Sequence, residues 1–159
     1  MTRVRTLAVV ALLLALAVPA RADGTVFIGA NTTPANRTVK GFAVSLGLLA
    51  VAFELEYATT GDDLLAGAPS LKTGMGNLLL QSPFPLFGFQ PYFATGGGLY
   101  REELGTHRDT SVGLNTGGGV KVALVGPIRL RVDYRVFKLG SGALNSPAHR
   151  VYVGLNLKF

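Results

Sequence analysis

The sequence contains no cysteine, only two histidines and few charged residues. The absence of cysteine excludes a disulfide framework, a cysteine-ligated metal site and thiol catalysis. Charged residues make up 15% of the chain and hydrophobic residues 48%, which is too apolar for a disordered tail. Beyond residue 22 no stretch approaches the roughly 18 consecutive apolar residues of a membrane-spanning helix. The length of 159 residues is typical of one domain.

The N-terminus has the three-part layout of a secretory signal peptide. Two arginines lie near the start of residues 1–22, and an apolar run follows over 7–18. Ala20 and Ala22 then give the small-x-small pattern of a cleavage site. The alternative, a transmembrane anchor, needs about 20 apolar residues, and this run is shorter. We therefore predict a signal peptide over 1–22 and a mature domain over 23–159.

Removal of the signal peptide changes the charge of the chain. Three of the 15 basic residues, Arg3, Arg5 and Arg21, leave with it, so the net charge falls from +6 to +3. The basic character of the precursor is thus partly a property of its leader, and we expect no nucleic-acid partner. A secreted chain without cysteine fits the envelope of a Gram-negative bacterium.

The mature chain alternates between apolar and polar residues with a period of two, which predicts β-strands. In the last strand, Val151, Val153, Leu155, Leu157 and Phe159 fall on one face, and Arg150, Tyr152, Gly154, Asn156 and Lys158 on the other. Turn residues divide the chain into eight predicted strands, over 24–31, 38–47, 49–59, 70–81, 88–102, 110–124, 127–138 and 148–159. Connections after the odd strands are predicted to be long, at 31–37, 60–69, 103–109 and 140–147, and those after the even strands tight.

Two architectures fit this alternation. A soluble eight-stranded barrel, such as a periplasmic lipocalin-like protein that binds an apolar ligand, would turn its apolar face inward. A membrane barrel turns that face to lipid and fills its lumen with polar residues. The signal peptide, the alternating loop lengths and strands of 10–12 residues favour the membrane barrel, since a tilted strand crosses a bilayer in about 9–11 residues. We predict an all-β, eight-stranded, antiparallel up-and-down transmembrane barrel.

The segments GFAVSLGL (41–48), FELEYA (53–58), PYFATGGGLY (91–100), RLRVDYRVFKL (129–139) and the terminal VYVGLNLKF carry a resemblance to known proteins. They resemble the small eight-stranded bacterial outer-membrane β-barrel family, which includes OmpA-like transmembrane domains and opacity-type surface antigens. The resemblance implies a monomer in the outer membrane, in contact with its lipid and lipopolysaccharide. It also implies a C-terminal assembly signal, read by the barrel-assembly machinery, at Tyr152, Leu155, Leu157 and Phe159.

If the apolar face meets lipid, the charged residues of several strands converge inside the barrel. These are Glu54, Glu56, Lys121, Arg129, Arg131, Asp133 and Arg135. The interior of an eight-stranded barrel is just wide enough for side chains to fill, and buried charges persist when they are paired. The sequence favours a structural charge network that closes the lumen. The alternative is a narrow, porin-like pore or an ion gate.

Catalytic, cofactor and metal sites have little support in the sequence. The two triple-glycine runs, over 96–98 and 117–119, lack the Lys-Ser/Thr and helix of a phosphate loop. His107, Asp109 and Ser111, with the distant His149, are the candidates for a lipid A-modifying enzyme. We favour a structural surface protein without catalysis or cofactor, whose exposed loops are the candidate contact for ligands or host surfaces.

Overall fold

A computed structural model describes residues 21–159, and all eight predicted strands are present with bounds that differ from the prediction by no more than three residues. The strands are β1 (Arg21–Asn31), β2 (Arg37–Leu48), β3 (Val51–Thr60), β4 (Ser70–Gln81), β5 (Phe89–Leu104), β6 (His107–Val125), β7 (Ile128–Lys138) and β8 (Ala148–Lys158). Within residues 21–159 there is no helix long and apolar enough to cross a membrane.

The strands form one closed antiparallel barrel in chain order, as predicted. Each strand pairs with the next, and β1 closes the ring by pairing with β8, from Asp23 opposite Lys158 to Asn31 opposite Arg150. The backbones of Ala22 and Phe159 extend this pairing with hydrogen bonds of 3.0 and 2.9 Å. Because β1 and β8 pair with each other, neither is left as an open edge that exposes backbone donors to lipid.

The two faces of the wall differ sharply in polarity. Apolar side chains of every strand point outward, and Phe53 and Leu55 of β3 are 69% and 72% exposed. Polar and charged side chains occupy most of the inward positions and are buried. This orientation is that of a membrane barrel and the reverse of what the lipocalin-like alternative requires.

Apolar packing inside the barrel is confined to small clusters at different heights. Phe27 stacks on Tyr152 with ring centroids 4.1 Å apart. A second cluster contains Leu79 and Tyr92, and the largest contains Leu71, Met75, Tyr100, Phe137, Leu139 and Ala148. The charged side chains lie between these clusters.

The connections differ in part from the prediction. The prediction of a long loop over 103–109 is wrong, because β5 and β6 remain paired up to Leu104 opposite His107. Only Gly105 and Thr106 join them, and Gly105 has φ 58°, a left-handed backbone that glycine adopts without strain in a tight hairpin. We call this end of the barrel the hairpin end, and the opposite end, which holds Arg21 and Phe159, the terminal end. The connection over 82–88 at the terminal end is itself seven residues long, so long connections occur at both ends.

The predicted signal peptide lies almost wholly outside the described residues. Only Arg21 and Ala22, its last two residues, are described, and they begin β1 opposite Gly47 and Leu46. Cleavage after Ala22 stays a prediction, and it would make Asp23 the first residue of the strand.

Candidate functional site: the charged lumen

Charged side chains from opposite walls of the barrel meet at its centre. In a ring of eight strands β3 and β7 are four positions apart, so their inward side chains point toward each other across the lumen. β3 contributes Glu54 and Glu56, and β7 contributes Arg131, Asp133 and Arg135. The period of two places each set on one face of its strand, because successive side chains point to opposite sides.

The arginines of β7 bridge the acids of both strands. Arg131 donates from Nη1 to Oε2 of Glu54 over 2.5 Å and from Nη2 to Oδ2 of Asp133 over 3.0 Å. Arg135 donates from Nη2 to Oε1 of Glu54 over 2.7 Å and from Nε to Oδ1 of Asp133 over 3.0 Å. Its Nη1 also lies 3.2 Å from Oε2 of Glu56. The acids are therefore shared between arginines rather than paired one to one.

A third arginine, Arg150 of β8, completes the cluster. Its Nη1 lies 3.0 Å from Oε1 of Glu56, and its Nη2 donates to the hydroxyl of Thr73 over 3.1 Å. Its Nε donates to Oδ1 of Asn31 over 3.2 Å, and the guanidinium stacks 4.3 Å from the centroid of the Phe137 ring. Every nitrogen of this guanidinium thus has a partner on another strand.

We call these six residues the central network: Glu54, Glu56, Arg131, Asp133, Arg135 and Arg150. It contains three acids and three arginines, and none of the six is more than 3% exposed. Taking such groups out of water costs several kcal/mol per ion. Their mutual attraction repays this cost only when further hydrogen bonds satisfy the remaining polar atoms. A charge balance of zero and shared hydrogen bonds are what make this burial possible.

Neutral side chains add further hydrogen bonds to the central network, although none of them reaches Nη1 of Arg135. The Tyr92 hydroxyl accepts from Nε of Arg131 over 2.7 Å and donates to Asp133. Asn77 donates to Oε1 of Glu54 over 3.2 Å. The Arg131 guanidinium also lies over the Tyr92 ring, 4.8 Å from its centroid. The ring and the hydroxyl of Tyr92 therefore both contact the Arg131 guanidinium.

A second charged group lies near the terminal end. The two carboxylate oxygens of Asp23 accept from Nζ of Lys121 and from Nδ2 of Asn156, each over 2.8 Å. Arg129 donates from Nη1 to Oε1 of Gln90 over 2.7 Å. Arg129 is partly exposed and bonds to an amide, whereas Lys121 is buried and bonds to an acid.

A third group closes the hairpin end. The Glu102 carboxylate is buried and accepts from the backbone N–H of Leu144 over 2.8 Å, while Nε2 of His107 lies 3.8 Å away. The outward apolar residues of β5 end at Leu99, so Glu102 lies beyond the apolar band. Burial raises the pKa of Glu102 above that of an ordinary glutamate, and His107 opposes this shift. Through the hydrogen bond from Leu144, Glu102 holds the connection over 139–147 against the barrel.

Two further side chains, Arg37 and Tyr100, make contacts at the hairpin end. Arg37, buried at the start of β2, donates to the carbonyl oxygen of Thr33 over 2.9 Å and to that of Pro69. The β1–β2 connection and the β3–β4 connection are thereby linked to one guanidinium. The Tyr100 hydroxyl donates to the carboxylate of Asp109 in the β5–β6 hairpin.

The structure places the seven predicted lumen residues in two separate groups. Five of them, Glu54, Glu56, Arg131, Asp133 and Arg135, meet in the central network. Lys121 and Arg129 lie instead toward the terminal end. The prediction omitted Arg150 and Tyr92, although the alternation of β8 already set Arg150 on the polar face. The partners of both depend on the stagger of the strands, which the sequence does not show.

The residues of the predicted assembly signal divide between the faces of β8. Leu155, Leu157 and Phe159 point outward, whereas Tyr152 is buried inside the barrel. The Tyr152 hydroxyl lies 3.4 Å from Oε2 of Glu56. Tyr152 therefore contacts the central network, and the other three residues form part of the apolar outer face.

The candidate catalytic residues do not form one cluster. His107, Asp109 and Ser111 occupy successive inward positions of β6, and the Asp109 carboxylate accepts from the Tyr100 hydroxyl. His149 lies on the outer face of β8, with Nδ1 2.7 Å from the hydroxyl of Tyr134. Among residues 21–159 no group of three or more histidine and acidic side chains is placed to hold a metal ion.

The triple-glycine runs lie where strands and rings approach closely. A Cβ on Gly119 would meet the Tyr92 ring and the backbone of Val132, and one on Gly117 would meet the backbone at Tyr134 and Arg135. These glycines of β6 therefore make room for Tyr92 and for the backbone of β7, which carries two of the three arginines of the central network.

The sequence matches no protein-family model and none of the curated proteins. The structure, however, is similar to solved outer-membrane barrels. The N-terminal β-barrel domain of Pseudomonas aeruginosa OprF aligns with a TM-score of 0.67 and 14% identity, covering 87% of this chain and 97% of that one. Neisserial surface protein A (NspA) aligns with a TM-score of 0.60 and 16% identity, covering 87% and 94%. The outer membrane enzyme PagL aligns with a TM-score of 0.51 and 11% identity, covering 86% and 98%.

Identities this low establish the fold alone. The structural likeness agrees with the resemblance seen in the strand segments and in the terminal VYVGLNLKF. The chain has the fold of the small eight-stranded bacterial outer-membrane β-barrels.

Proposed function

We propose that this chain is a structural protein of the bacterial outer membrane, without catalysis, whose lumen is closed by the central network. The observation that carries the proposal is the combination of an apolar outer face with three acids and three arginines paired inside. The apolar face matches a lipid environment, and the paired interior fills the space that a pore would need. The hairpin end would face the cell exterior, and the terminal end the periplasm.

Planar-bilayer recording tests the closed lumen against the pore alternative. The purified, folded protein should give no steady conductance, because Arg131 and Arg135 span the lumen to Glu54. A variant in which both arginines become serine is the matched control, since it shortens the bridging side chains. Steady channels of the unmodified protein on the order of tens of picosiemens, sensitive to that double substitution, would contradict a closed lumen.

Fractionation tests the location. The protein should remain in the outer-membrane fraction after a carbonate wash and should shift in gel mobility on heating, as folded barrels do. N-terminal sequencing of the membrane form should begin at Asp23 if the signal peptide ends at Ala22. Deletion of Phe159 should reduce assembly if the C-terminal strand is read by the barrel-assembly machinery. The conservative variant Phe159→Tyr should assemble like the unmodified protein. Release by the carbonate wash would contradict the membrane location.

Lipopolysaccharide is the lipid partner best supported by the outer surface at the hairpin end. Lys40, Thr59, Lys72, Arg101 and Thr110 lie side by side on successive strands, each opposite the next. Like charges directly opposite each other, as in Lys72 and Arg101, are destabilising unless something neutralises them. Glu103 lies 2.6 Å from Arg101, and Lys72 and Lys40 remain as excess positive charge just beyond the apolar band. Phosphate groups of the outer leaflet carry the complementary charge.

Reconstitution with and without lipopolysaccharide tests this partner. The K40Q/K72Q variant should lose a large part of the stabilisation that lipopolysaccharide gives the unmodified barrel. The matched control is K138Q, which removes one exposed cation of β7 outside the row. Equal stabilisation of the K40Q/K72Q variant and the unmodified protein would contradict the assignment. The loops over 32–36, 61–69 and 139–147 remain the proposed surface for any ligand or host partner.

A further inference from the structure

The terminal end contains a partly enclosed cavity of about 240 Å³ that the closed-barrel function does not use. Its polar wall consists of Arg21, Asp23, Gln81, Gln90, Arg129 and Lys158. Leu49, Pro83 and Phe84 form its apolar wall, and Leu49 directly follows the outward-facing Leu48 at the end of β2. At about 30 Å³ per water molecule, the volume accommodates a small solute rather than a polymer.

The cavity has an excess of positive charge. Of the described residues that line it, Asp23 is the only acid, and both of its oxygens are already bonded, to Lys121 and Asn156. Among residues 21–159 no carboxylate lies within 4 Å of a side-chain nitrogen of Arg21, Arg129 or Lys158. Three cations therefore share one cavity without an acidic partner, in contrast to the balanced central network.

The excess charge does not depend on where the leader ends. If cleavage follows Ala22, Arg21 leaves and the new α-amino group of Asp23 takes up the lost positive charge at the start of the same strand. Arg129 and Lys158, on the adjacent strands β7 and β8, are present in either form. They make the site a property of the barrel itself.

We propose that this cavity binds a phosphate-type anion, held by Arg129 and Lys158 and by the positive group at the start of β1. Guanidinium and ammonium groups are the side chains that recognise phosphate, the first through paired N–H donors and the second as a point charge. The Gln90 amide orients Arg129 through the 2.7 Å bond to its Nη1. The remaining donors of that guanidinium have no acidic partner in the described part of the barrel and are available to a ligand.

Two sources supply this chemistry: free phosphate and the headgroup of an anionic phospholipid in the leaflet at the terminal end. Leu49 and Phe84 line the cavity and are themselves exposed, so the site offers an apolar contact that a lipid could use and free phosphate could not. The lipid arm rests on the proposed membrane location, whereas binding of free phosphate does not.

The test begins with the membrane-extracted protein in a detergent that contains no phosphate, such as lauryldimethylamine oxide. Titration with inorganic phosphate, followed by calorimetry and by NMR of the Lys158 and Arg129 side chains, should show saturable one-to-one binding. R129Q and K158Q should each weaken binding by about tenfold and together abolish it. K138Q, on the outside of β7 at the hairpin end, should bind within twofold of the unmodified protein. No saturable binding up to about 50 mM phosphate, or equal binding by R129Q/K158Q and K138Q, would overturn the proposal.

The second arm places the barrel in nanodiscs that contain phosphatidylglycerol. If the headgroup is the occupant, the Lys158 and Arg129 signals should already be at their phosphate-bound positions and should not respond to added phosphate. If free phosphate is the ligand, they should still titrate. Because all variants can be checked for the heat-dependent gel shift, loss of anion binding by a folded barrel overturns this inference and leaves the proposed function intact.

Discussion

The centre of the lumen and its terminal end solve the problem of internal charge in opposite ways. At the centre three acids and three arginines are fully buried and mutually bonded. In the terminal cavity Arg129 and Lys158 are only partly buried, and within the part of the chain that the structure describes neither has an acidic partner. The difference follows from hydration, since a buried ion needs a bonded counter-charge and a hydrated one does not. Pairing thus marks the part of the lumen that holds the barrel together, and excess charge marks the part that is free to bind.

The largest effect is expected from breaking the balance of the central network. Arg135→Met leaves Glu54, Glu56 and Asp133 with two guanidinium groups for three carboxylates. Removal of one partner of a buried pair costs about 3–5 kcal/mol, because the remaining charge stays buried without compensation. Urea titration of the folded barrel in lipid vesicles, followed by the gel shift, measures this loss. If the free energy of unfolding falls by less than about 1 kcal/mol, the network is solvated rather than sealed from water.

A charge on the other side of the same strand should be the next most costly. Leu55 lies between Glu54 and Glu56 in β3 but points outward. Arginine on the lipid face near the bilayer midplane costs about 2–4 kcal/mol, so Leu55→Arg should destabilise the barrel although arginine is common a few ångströms away inside it. The control is Leu65→Arg in the exposed loop over 61–69, which should change stability little. The same urea titration in vesicles compares the two, and equal stabilities would argue against a lipid-facing β3.

Removal of a neutral member of the central network should have a smaller effect. Tyr92→Phe deletes the hydroxyl that accepts from Arg131 and donates to Asp133, while the ring remains. Hydrogen bonds to charged groups contribute about 1.5–3 kcal/mol, so a loss in that range is expected. Tyr57→Phe, which changes an outward tyrosine of β3, is the matched control. If both substitutions cost the same, the network does not depend on the Tyr92 hydroxyl.

The sequence predicted the barrel well because its main signal is local. Alternation in β3, β7 and β8 is visible residue by residue, and it sets both the number of strands and the face that carries Glu54 or Arg131. The link between Arg150 and Glu56 was not predictable, because it depends on the accumulated stagger of many strand pairs. The predicted loop over 103–109 failed for a similar reason. Its polar residues suit either a loop or an extended hairpin, and pairing across Glu103 and Arg108 decides between them.

The smallest effect is expected in the terminal cavity, where Lys158 has no acidic partner among the residues that the structure describes. Lys158→Gln removes one of several cations that repel one another, so the free energy of unfolding in phosphate-free buffer should change by no more than about 0.5 kcal/mol. Lys121→Gln, in the same part of the lumen, should instead lower the free energy of unfolding by about 1–3 kcal/mol, because it leaves Oδ2 of Asp23 without its ammonium donor. Urea titration of the two variants side by side compares a free cation with a paired one. A large loss from Lys158→Gln would mean that Lys158 has a structural partner, and the contrast between the balanced centre and the charged terminal end would then fail.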